Sequence, residues 1–312
     1  MSPSAEALVR LRALTKRFGS KRALGPIDLD LERQEIVGIV GPDGAGKTTL
    51  LRSLAGLLEI EADQAAVLGH DLRGDVTALK REIGYVPQTF SLHRDLSVIE
   101  NLRFTARLHR MAPAELDRRA APLLQATGLE PFVDRRAGAL SGGMKQKLAI
   151  ANAMLIAPRL MILDEPTAGV DVTARDQIWE MLVAEKHRAL VLISTSYLDE
   201  AAACDRLIYL DEGRIVATGT PAELRARVSL ELFRVWAEDP RSVARAARAL
   251  PYVNGARASG GHARVEVSGE RAPDEARIVR DLLGLSGARF AERTPVDMES
   301  TLLALARRAE GA

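Results

Sequence analysis

The chain has 312 residues, enough for one large domain of about 220 residues and a second, small one. Its 43 Lys and Arg residues balance 42 Asp and Glu residues, and the net charge of +1 gives no overall basic field, so we expect no nucleic-acid partner. A single cysteine excludes an intramolecular disulfide, and the lack of a signal-peptide pattern and of any apolar run near ~20 residues predicts a soluble, cytoplasmic protein.

Residues 8–40 alternate between apolar and polar side chains, as strands do, and predict an antiparallel β layer at the start of the chain. Two segments, Lys16–Gly19 and Leu24–Pro26, interrupt this pattern and are predicted to be turns. Phe18 lies in the first of them. Its ring is a candidate to stack on an adenine or to cap a small core, and the sequence favours neither.

A glycine-rich loop follows, between the apolar run Ile36–Val40 and leucines at helical spacing, as a GxxxxGK[ST] phosphate-binding loop requires. Its glycines allow a tight turn that directs backbone N–H groups toward a β-phosphate at the helix N-terminus. Lys47 adds a positive charge for the β- and γ-phosphates, and the Thr48 hydroxyl is the expected Mg²⁺ ligand. The predicted nucleotide-binding loop comprises Gly41, Pro42, Asp43, Gly44, Ala45, Gly46, Lys47, Thr48 and Thr49.

The next part of the chain is predicted to be a helical insertion, at about residues 89–157, between strands of the core. A strand over residues 83–88 places Gln88 at its end. Ser97 and Glu100 then match a capping box, and residues 101–127 are typical of helices interrupted at Pro113 and Gly128.

Ser141, Gly142 and Gly143 stand at the start of a further predicted helix, because Leu148 and Leu155 continue with helical spacing. A helix N-terminus offers free N–H groups and a partial positive charge, so this is a second possible phosphate site. A plain helix start with glycine near its cap is the alternative for this motif taken alone.

A buried strand over Leu160–Leu163 ends in the carboxylates Asp164 and Glu165. The carboxyl ends of strands are where α/β sheets bind ligands. Asp164 is suited to hold Mg²⁺ through a water molecule bound to the metal. Glu165 is suited to orient or deprotonate the attacking water. A solvated turn is the alternative for two adjacent acids.

The motifs end before Val228, after a strand over residues 189–195, a hairpin over 206–217 and a helix with a capping box at Thr220. From Leu230 the pattern predicts strand, helix (242–250), strand, strand (263–267), helix (274–283), strand and a last helix from Met298. This order predicts a small α+β, ferredoxin-like domain. The predicted domains are therefore 1–228 and 229–312, and the second carries no catalytic motif.

Four motifs in this order, GPDGAGKTT, YVPQ, LSGGMKQ and LMILDEP followed by Ala168–Asp171, resemble the ATP-binding subunit of an ABC transporter. The resemblance implies an α/β P-loop ABC ATPase that uses ATP and Mg²⁺ and holds ATP between two such subunits. It implies that Gln88 joins Thr48 and Asp164 at the metal and acts as the lever to a membrane partner. Ser141 to Gly143 would bind the γ-phosphate held by the opposite subunit.

Three further features resemble drug-exporter ATPases that work with ABC-2-type permeases: Asp43, the run Ser194–Ala201, and the C-terminal residues 289–295. The N-terminal half of tandem-ATPase exporter subunits is the most similar group, although this chain has room for one ATPase unit. The resemblance implies a peripheral location at the inner face of the cell membrane, through the permease.

Ser196 departs from the family, most members of which have a histidine that contacts the γ-phosphate. A short neutral hydroxyl cannot stabilise that charge as an imidazole does, so we expect this chain's own site to be slow. A non-identical second ATP-binding subunit is therefore favoured over a homodimer. The alternatives are a soluble ABC protein acting on ribosomes or DNA, and a nucleotide-gated module with weak hydrolysis. A second departure, Glu61–Gln64 in place of a Ser-Gly turn, suggests no function.

Overall fold

The structure is a computed structural model that describes residues 7–268 and 272–310, and the chain divides between Thr218 and Gly219 into two compact units. The domain limits expected from the sequence, 1–228 and 229–312, remain a prediction, and their outer ends lie outside the described residues.

The first unit alternates strands and helices. Its first elements are β1 (Val9–Phe18), β2 (Lys21–Leu31), β3 (Ile36–Val40), α1 (Lys47–Leu54), β4 (Gln64–Val67), β5 (His70–Asp71), α2 (Leu79–Glu82), β6 (Ile83–Val86), α3 (Val98–Leu108) and α4 (Pro113–Thr127). Two short 3₁₀ turns lead to α5 (Gly142–Met154), β7 (Leu160–Asp164), α6 (Val172–Glu185), β8 (Leu190–Ser194), α7 (Leu198–Ala203), β9 (Arg206–Asp211) and β10 (Arg214–Gly219).

A six-stranded sheet of order β10-β9-β3-β8-β7-β6 forms the centre of this unit. Strands β9, β3, β8, β7 and β6 are mutually parallel, and every residue of β3, β7 and β8 is buried. Burial on both faces explains why these strands are continuous apolar runs rather than alternating ones. Because the strands are parallel, the segments that follow β3, β6, β7 and β8 all emerge at one edge.

The antiparallel layer predicted over residues 8–40 is present, but only part of that range belongs to it. It contains β1 and β2, joined by β4 and β5 in the order β2-β1-β4-β5, whereas β3 belongs to the parallel sheet. The segment Glu61–Gln64 extends this layer, since Glu61 and Thr15 exchange two backbone hydrogen bonds of 2.7 and 3.1 Å. The missing Ser-Gly turn is thus replaced by strand-like pairing.

Both turns predicted within this layer are misplaced. Strand β1 runs through Phe18, so the first turn is shorter than Lys16–Gly19, and Leu24–Pro26 lies inside β2. Gly25 makes this possible: its φ of 134° is open to glycine, and a Cβ there would lie 2.5 Å from the Thr15 side chain. The pairing of the two strands shifts register at this point, as at a bulge.

The helical insertion is confirmed as α3, α4 and α5, which pack around buried Leu102, Leu124 and Leu148. The Ser97 side chain caps α3 with the reciprocal Glu100 bond of a capping box. Helix α4 begins at Pro113, because proline is accommodated in the first turn of a helix.

The second unit begins with α8 (Pro221–Ala226). Its other elements are β11 (Leu230–Ala237), α9 (Pro240–Ala247), β12 (Val253–Ser259), β13 (His262–Ser268), α10 (Glu275–Leu283), β14 (Ala288–Thr294) and α11 (Met298–Glu310). The strands form an antiparallel sheet of order β12-β13-β11-β14 around buried Phe233, Val265 and Ile278. This confirms the predicted ferredoxin-like order. Helix α9 starts earlier than predicted because Asp239 caps it, accepting from the amides of Arg241 and Ser242.

Candidate nucleotide-binding site

The glycine-rich loop lies between β3 and α1, as predicted, and its shape depends on glycine. The φ values of Gly41, Gly44 and Gly46 are 156°, 82° and 105°. A Cβ on Gly41 would lie 2.0 Å from the Leu210 carbonyl oxygen, so this position has no space for a side chain. Gly46 is the N-cap of α1, which leaves the first amides of that helix directed at the loop.

Lys47, the first residue of α1, is 6% exposed, yet its ammonium group stays at the loop. Nζ donates to the carbonyl oxygens of Gly41 at 2.7 Å and Pro42 at 3.1 Å. The loop borders a cavity of about 260 Å³, which is lined by Asp43, Gly44, Ala45, Gly46, Lys47, Thr48, Thr49, Gln88 and Glu165. The fold therefore brings most of the predicted loop together with two residues from other strand ends.

Asp164 is the last residue of β7 and is fully buried. Its Oδ1 accepts hydrogen bonds from Thr48 Oγ1 at 3.1 Å and from Ser194 Oγ at 2.7 Å. Its Oδ2 is buried and has no hydrogen-bond partner among the residues that the structure describes. An unpartnered carboxylate oxygen beside a threonine hydroxyl is an oxygen-rich environment of the kind that suits Mg²⁺.

Glu165 is held by residues at the ends of two strands, β6 and β8. Its Oε2 accepts from Gln88 Nε2 at 3.0 Å, its Oε1 accepts from Ser196 Oγ at 3.3 Å, and its backbone N–H donates to Ser194 Oγ at 2.9 Å. Its φ of 50° is left-handed, a conformation that costs a non-glycine residue on the order of 1–3 kcal/mol. The carboxylate is thus fixed at the cavity by bonds to both of its oxygens.

Ser194 was not predicted as a site residue, although it bonds to both acids. It ends β8 in the register position directly opposite Asp164 of β7. The sequence contains one signal that could have found it: a polar residue that closes a buried strand adjacent to the strand with the carboxylates.

The residues Ser141 to Gly143 lie at the start of α5, as predicted, but they do not line the cavity of the glycine-rich loop. Ser141 caps the helix by accepting from the Met144 amide at 3.3 Å. Ser141 and Gly142 are exposed, whereas Gly143 is buried, and a Cβ on it would lie 2.9 Å from Ala174 Cβ in α6.

Phe18 ends β1 and is 51% exposed, so it is not part of a core. The Lys16 ammonium lies 5.2 Å from the centre of its ring. Its predicted stacking on adenine stays a prediction, because Phe18 does not line the described cavity.

Within residues 7–268 and 272–310 there is no cluster of three or more His, Cys, Asp or Glu side chains that could hold a metal. Over the same ranges, the helices are too short or too polar to cross a bilayer.

Comparison with known proteins adds three relatives. The chain is 38% identical over 295 residues to the probable multidrug ABC transporter ATP-binding protein YbhF of Escherichia coli (strain K12), covering 93% of this chain and 50% of the relative. It is 33% identical to the Nod factor export ATP-binding protein I of Rhizobium sp. (strain N33), covering 96% of this chain and 97% of that one. It is 36% identical to the daunorubicin/doxorubicin resistance ATP-binding protein DrrA of Streptomyces peucetius, covering 78% and 74%. The chain thus spans half of the first relative and almost all of the second.

Solved structures agree with this result. An ATP-binding subunit of an ABC transporter superposes with a TM-score of 0.66 at 32% identity, over 70% of this chain and 92% of that one. The ATP-binding cassette MJ0796, in a dimeric post-hydrolysis state bound to ADP and Pi, gives a TM-score of 0.63 at 28% identity, over 68% and 98%. A family model described as ABC transporter matches residues 24–168. On these matches and on the geometry of its strand ends, the chain belongs to the ABC ATPase family, as an ATP-binding protein of the transporter type whose relatives include exporters.

Proposed function

We propose that this chain is the ATP-hydrolysing motor subunit of an exporter, and that it binds Mg²⁺-ATP at the glycine-rich loop and drives a separate ABC-2-type membrane permease. The observation that carries the proposal is the grouping of the nucleotide loop and a doubly held Glu165 around one cavity. Behind it the buried Asp164, with its unpartnered Oδ2, accepts a hydrogen bond from Thr48 of the cavity lining. The exporter relatives support the direction of transport.

The metal would be held by Thr48 and Asp164, with Gln88 as a third ligand. Asp164 fits this role because its Oδ2 has no hydrogen-bond partner among the described residues, while its Oδ1 is oriented by Thr48 and Ser194. When bound, Mg²⁺ neutralises charge on the β- and γ-phosphates. Lys47 supplies the second positive charge on the same groups.

Glu165 acts on the water. The water oxygen forms a bond to the γ-phosphorus as the bond from phosphorus to the ADP oxygen breaks, and the water proton passes to the Glu165 carboxylate. Gln88 and Ser196 hold the two carboxylate oxygens, at 3.0 and 3.3 Å, so the base is oriented before the water arrives.

A second ATP-binding subunit completes the site. Ser141 and Gly142 are exposed at the start of α5 and do not line the cavity of their own chain, and in this proposal their N–H groups would bind the γ-phosphate of a partner. Because Ser196 replaces a histidine, the site on this chain's own loop would be slow, and the favoured partner is a non-identical subunit that carries the histidine.

Gln88 also connects the site to the helical insertion, where the permease would dock. Phe90 and Leu92, two and four residues after Gln88, pack against the apolar core of the insertion. On α3 of that insertion, Phe104 and Leu108 are 41% and 67% exposed, a pair of apolar contacts for a cytoplasmic segment of the permease. The chain would thereby lie at the inner face of the cell membrane.

The test is the variant Glu165→Gln in the purified chain, assayed for ATP binding and for phosphate release with Mg²⁺. We expect ATP affinity to be kept and turnover to fall by about 10²–10⁴-fold, because the amide fills the site but cannot take a proton. Glu212→Gln is the matched control, since Glu212 is exposed and also has a left-handed φ, of 43°. Unchanged turnover in Glu165→Gln, or no ATP hydrolysis by the wild-type chain with any partner, contradicts the proposal.

A further inference from the structure

The switch segment, residues 195–200, carries Ser196 and runs from the end of β8 into the first turn of α7. Its backbone is fixed on both sides of Ser196 by the buried Thr195, whose Oγ1 accepts from the Tyr197 N–H at 3.0 Å and donates to the Glu200 carboxylate. Ser196 Oγ is thereby presented to Glu165. The position of this segment therefore decides how well Ser196 can hold the proposed base.

Arg175 of α6 contacts the switch segment in three places. The carbon of its guanidinium lies 3.9 Å from the centre of the Tyr197 ring, a cation–π distance. Its Nε lies 3.6 Å from Glu200 Oε1, and its Nη1 lies 3.7 Å from Asp199 Oδ2. The Arg175 and Glu200 side chains are 19% and 2% exposed, so solvent screens their attraction little.

Arg175 and Glu200 lie close together but are not hydrogen-bonded to each other. Arg175 Nε and Glu200 Oε1 are both buried, and neither has a hydrogen-bond partner within the part of the chain that the structure describes. One is a donor, the other an acceptor, and they face each other. A movement of roughly 0.5–1 Å would bring them to hydrogen-bond distance. Because buried groups without partners are costly, the pair favours that closer position.

Arg175 also links the switch segment to the start of α6. Helix α6 begins after Asp171, its N-cap, which ends the stretch Ala168–Asp171. Arg175 stands one helical turn beyond that cap. A displacement of the start of α6 is therefore passed by the Arg175 side chain to the switch segment and so to Ser196.

We propose that Arg175 is a positioning residue for ATP hydrolysis: it holds the switch segment so that Ser196 keeps the Glu165 carboxylate in place. This inference rests on the proposed function. Arg175 acts through Ser196 and does not line the cavity.

A double-mutant cycle tests the proposal, with turnover and KM for ATP measured for Arg175→Ala, Ser196→Ala and the double variant. We expect Arg175→Ala to lower kcat by about tenfold with KM nearly unchanged, and to cost nothing further in the Ser196→Ala background. Arg175→Lys should recover part of the loss. Asp176→Ala, an exposed neighbour on the same helix, is the control and should match the wild type. If the losses in kcat of the two single variants multiply in the double variant, the two residues act independently and the proposal is overturned. An equal loss of kcat in Asp176→Ala also overturns it.

Amide hydrogen exchange without nucleotide separates this inference from the proposed function. The amides of the switch segment should exchange faster in Arg175→Ala than in the wild type, whether or not the chain hydrolyses ATP. Unchanged exchange overturns the inference even in an active enzyme, whereas faster exchange in a chain without ATPase activity overturns only the proposed function. If the buried Glu200 charge unfolds Arg175→Ala, the variant Arg175→Ala with Glu200→Gln removes that charge and the same exchange comparison applies.

Discussion

The starts of α1 and α5 are both helix N-termini with glycine, yet the fold treats them differently. At α1 a buried Lys47 and the strand-end acid Glu165 line one cavity, and the buried Asp164 is hydrogen-bonded to Thr48 of the same lining. At α5 Ser141 caps the helix by itself, and Ser141 and Gly142 face outward. The contrast teaches that free helix N–H groups become a nucleotide site only when the fold adds a cation and carboxylates to them, and that the start of α5 needs a second molecule for this.

The largest effect is expected at α1. Lys47→Ala should weaken ATP binding by at least ~100-fold, because two charge-assisted bonds to phosphate, each worth about 1.5–3 kcal/mol, are lost. Lys145→Ala, which removes a lysine at the fourth residue of α5, is the control and should bind ATP like the wild type. Nucleotide titration measures both. Equal losses in the two variants would remove the distinction between the helix starts.

The second prediction concerns the rate of ATP hydrolysis at the α1 site. Ser196→His should raise turnover by up to ~100-fold, because a longer imidazole adds a donor for the γ-phosphate. Ser196→Ala should lower it about tenfold, as Arg175→Ala does, since the 3.3 Å bond to the Glu165 carboxylate is lost. Phosphate release by the purified chain is the measurement. Fast wild-type turnover that histidine does not change would contradict the slow site and the need for a non-identical partner.

A smaller effect is expected at α5. Gly143→Ala places a Cβ 2.9 Å from Ala174 and should push the start of α5 away from α6, at a cost of about 1–3 kcal/mol. We expect ATP hydrolysis to fall about tenfold while ATP binding by the chain's own loop persists. Gly142→Ala is the control, since a Cβ there meets nothing within 4 Å. Loss of ATP binding in Gly143→Ala would show that α5 belongs to the same site as α1.

The smallest effect concerns the buried thiol of Cys204, outside both helix starts. Cys204 is 4% exposed, and burial raises the pKa of its thiol to about 12. An unfolded thiol has a pKa of about 8.5, so the native state keeps a proton that the unfolded state loses. The contribution of Cys204 to stability is therefore complete below about pH 8.5 and is lost as the pH rises toward about 12. Native protein should resist iodoacetamide at pH 8, and urea-unfolded protein should react; rapid reaction of the native protein would contradict the burial.

Elements with local causes were predictable from the sequence. The glycine-rich loop requires positive φ at fixed positions, and the capping boxes at Ser97 and Thr220 satisfy backbone donors within three residues. The βαββαβ order of the second unit likewise follows from local periodicity. The turn predicted at Leu24–Pro26 is wrong because a distant residue, Thr15, approaches Gly25 and lets β2 continue.

The sequence by itself determined the family, the α/β class and the residue types of the site, because each motif is a short run whose backbone and chemistry are set by its own neighbours. Only the tertiary structure decided which side chains meet. Gln88 and Glu165 are 77 residues apart in the chain and 3.0 Å apart in space, and Ser194 reaches Asp164 across a strand pair. These contacts arise because parallel strands end at one edge of the sheet, and strand order, which no local pattern encodes, selects the neighbours.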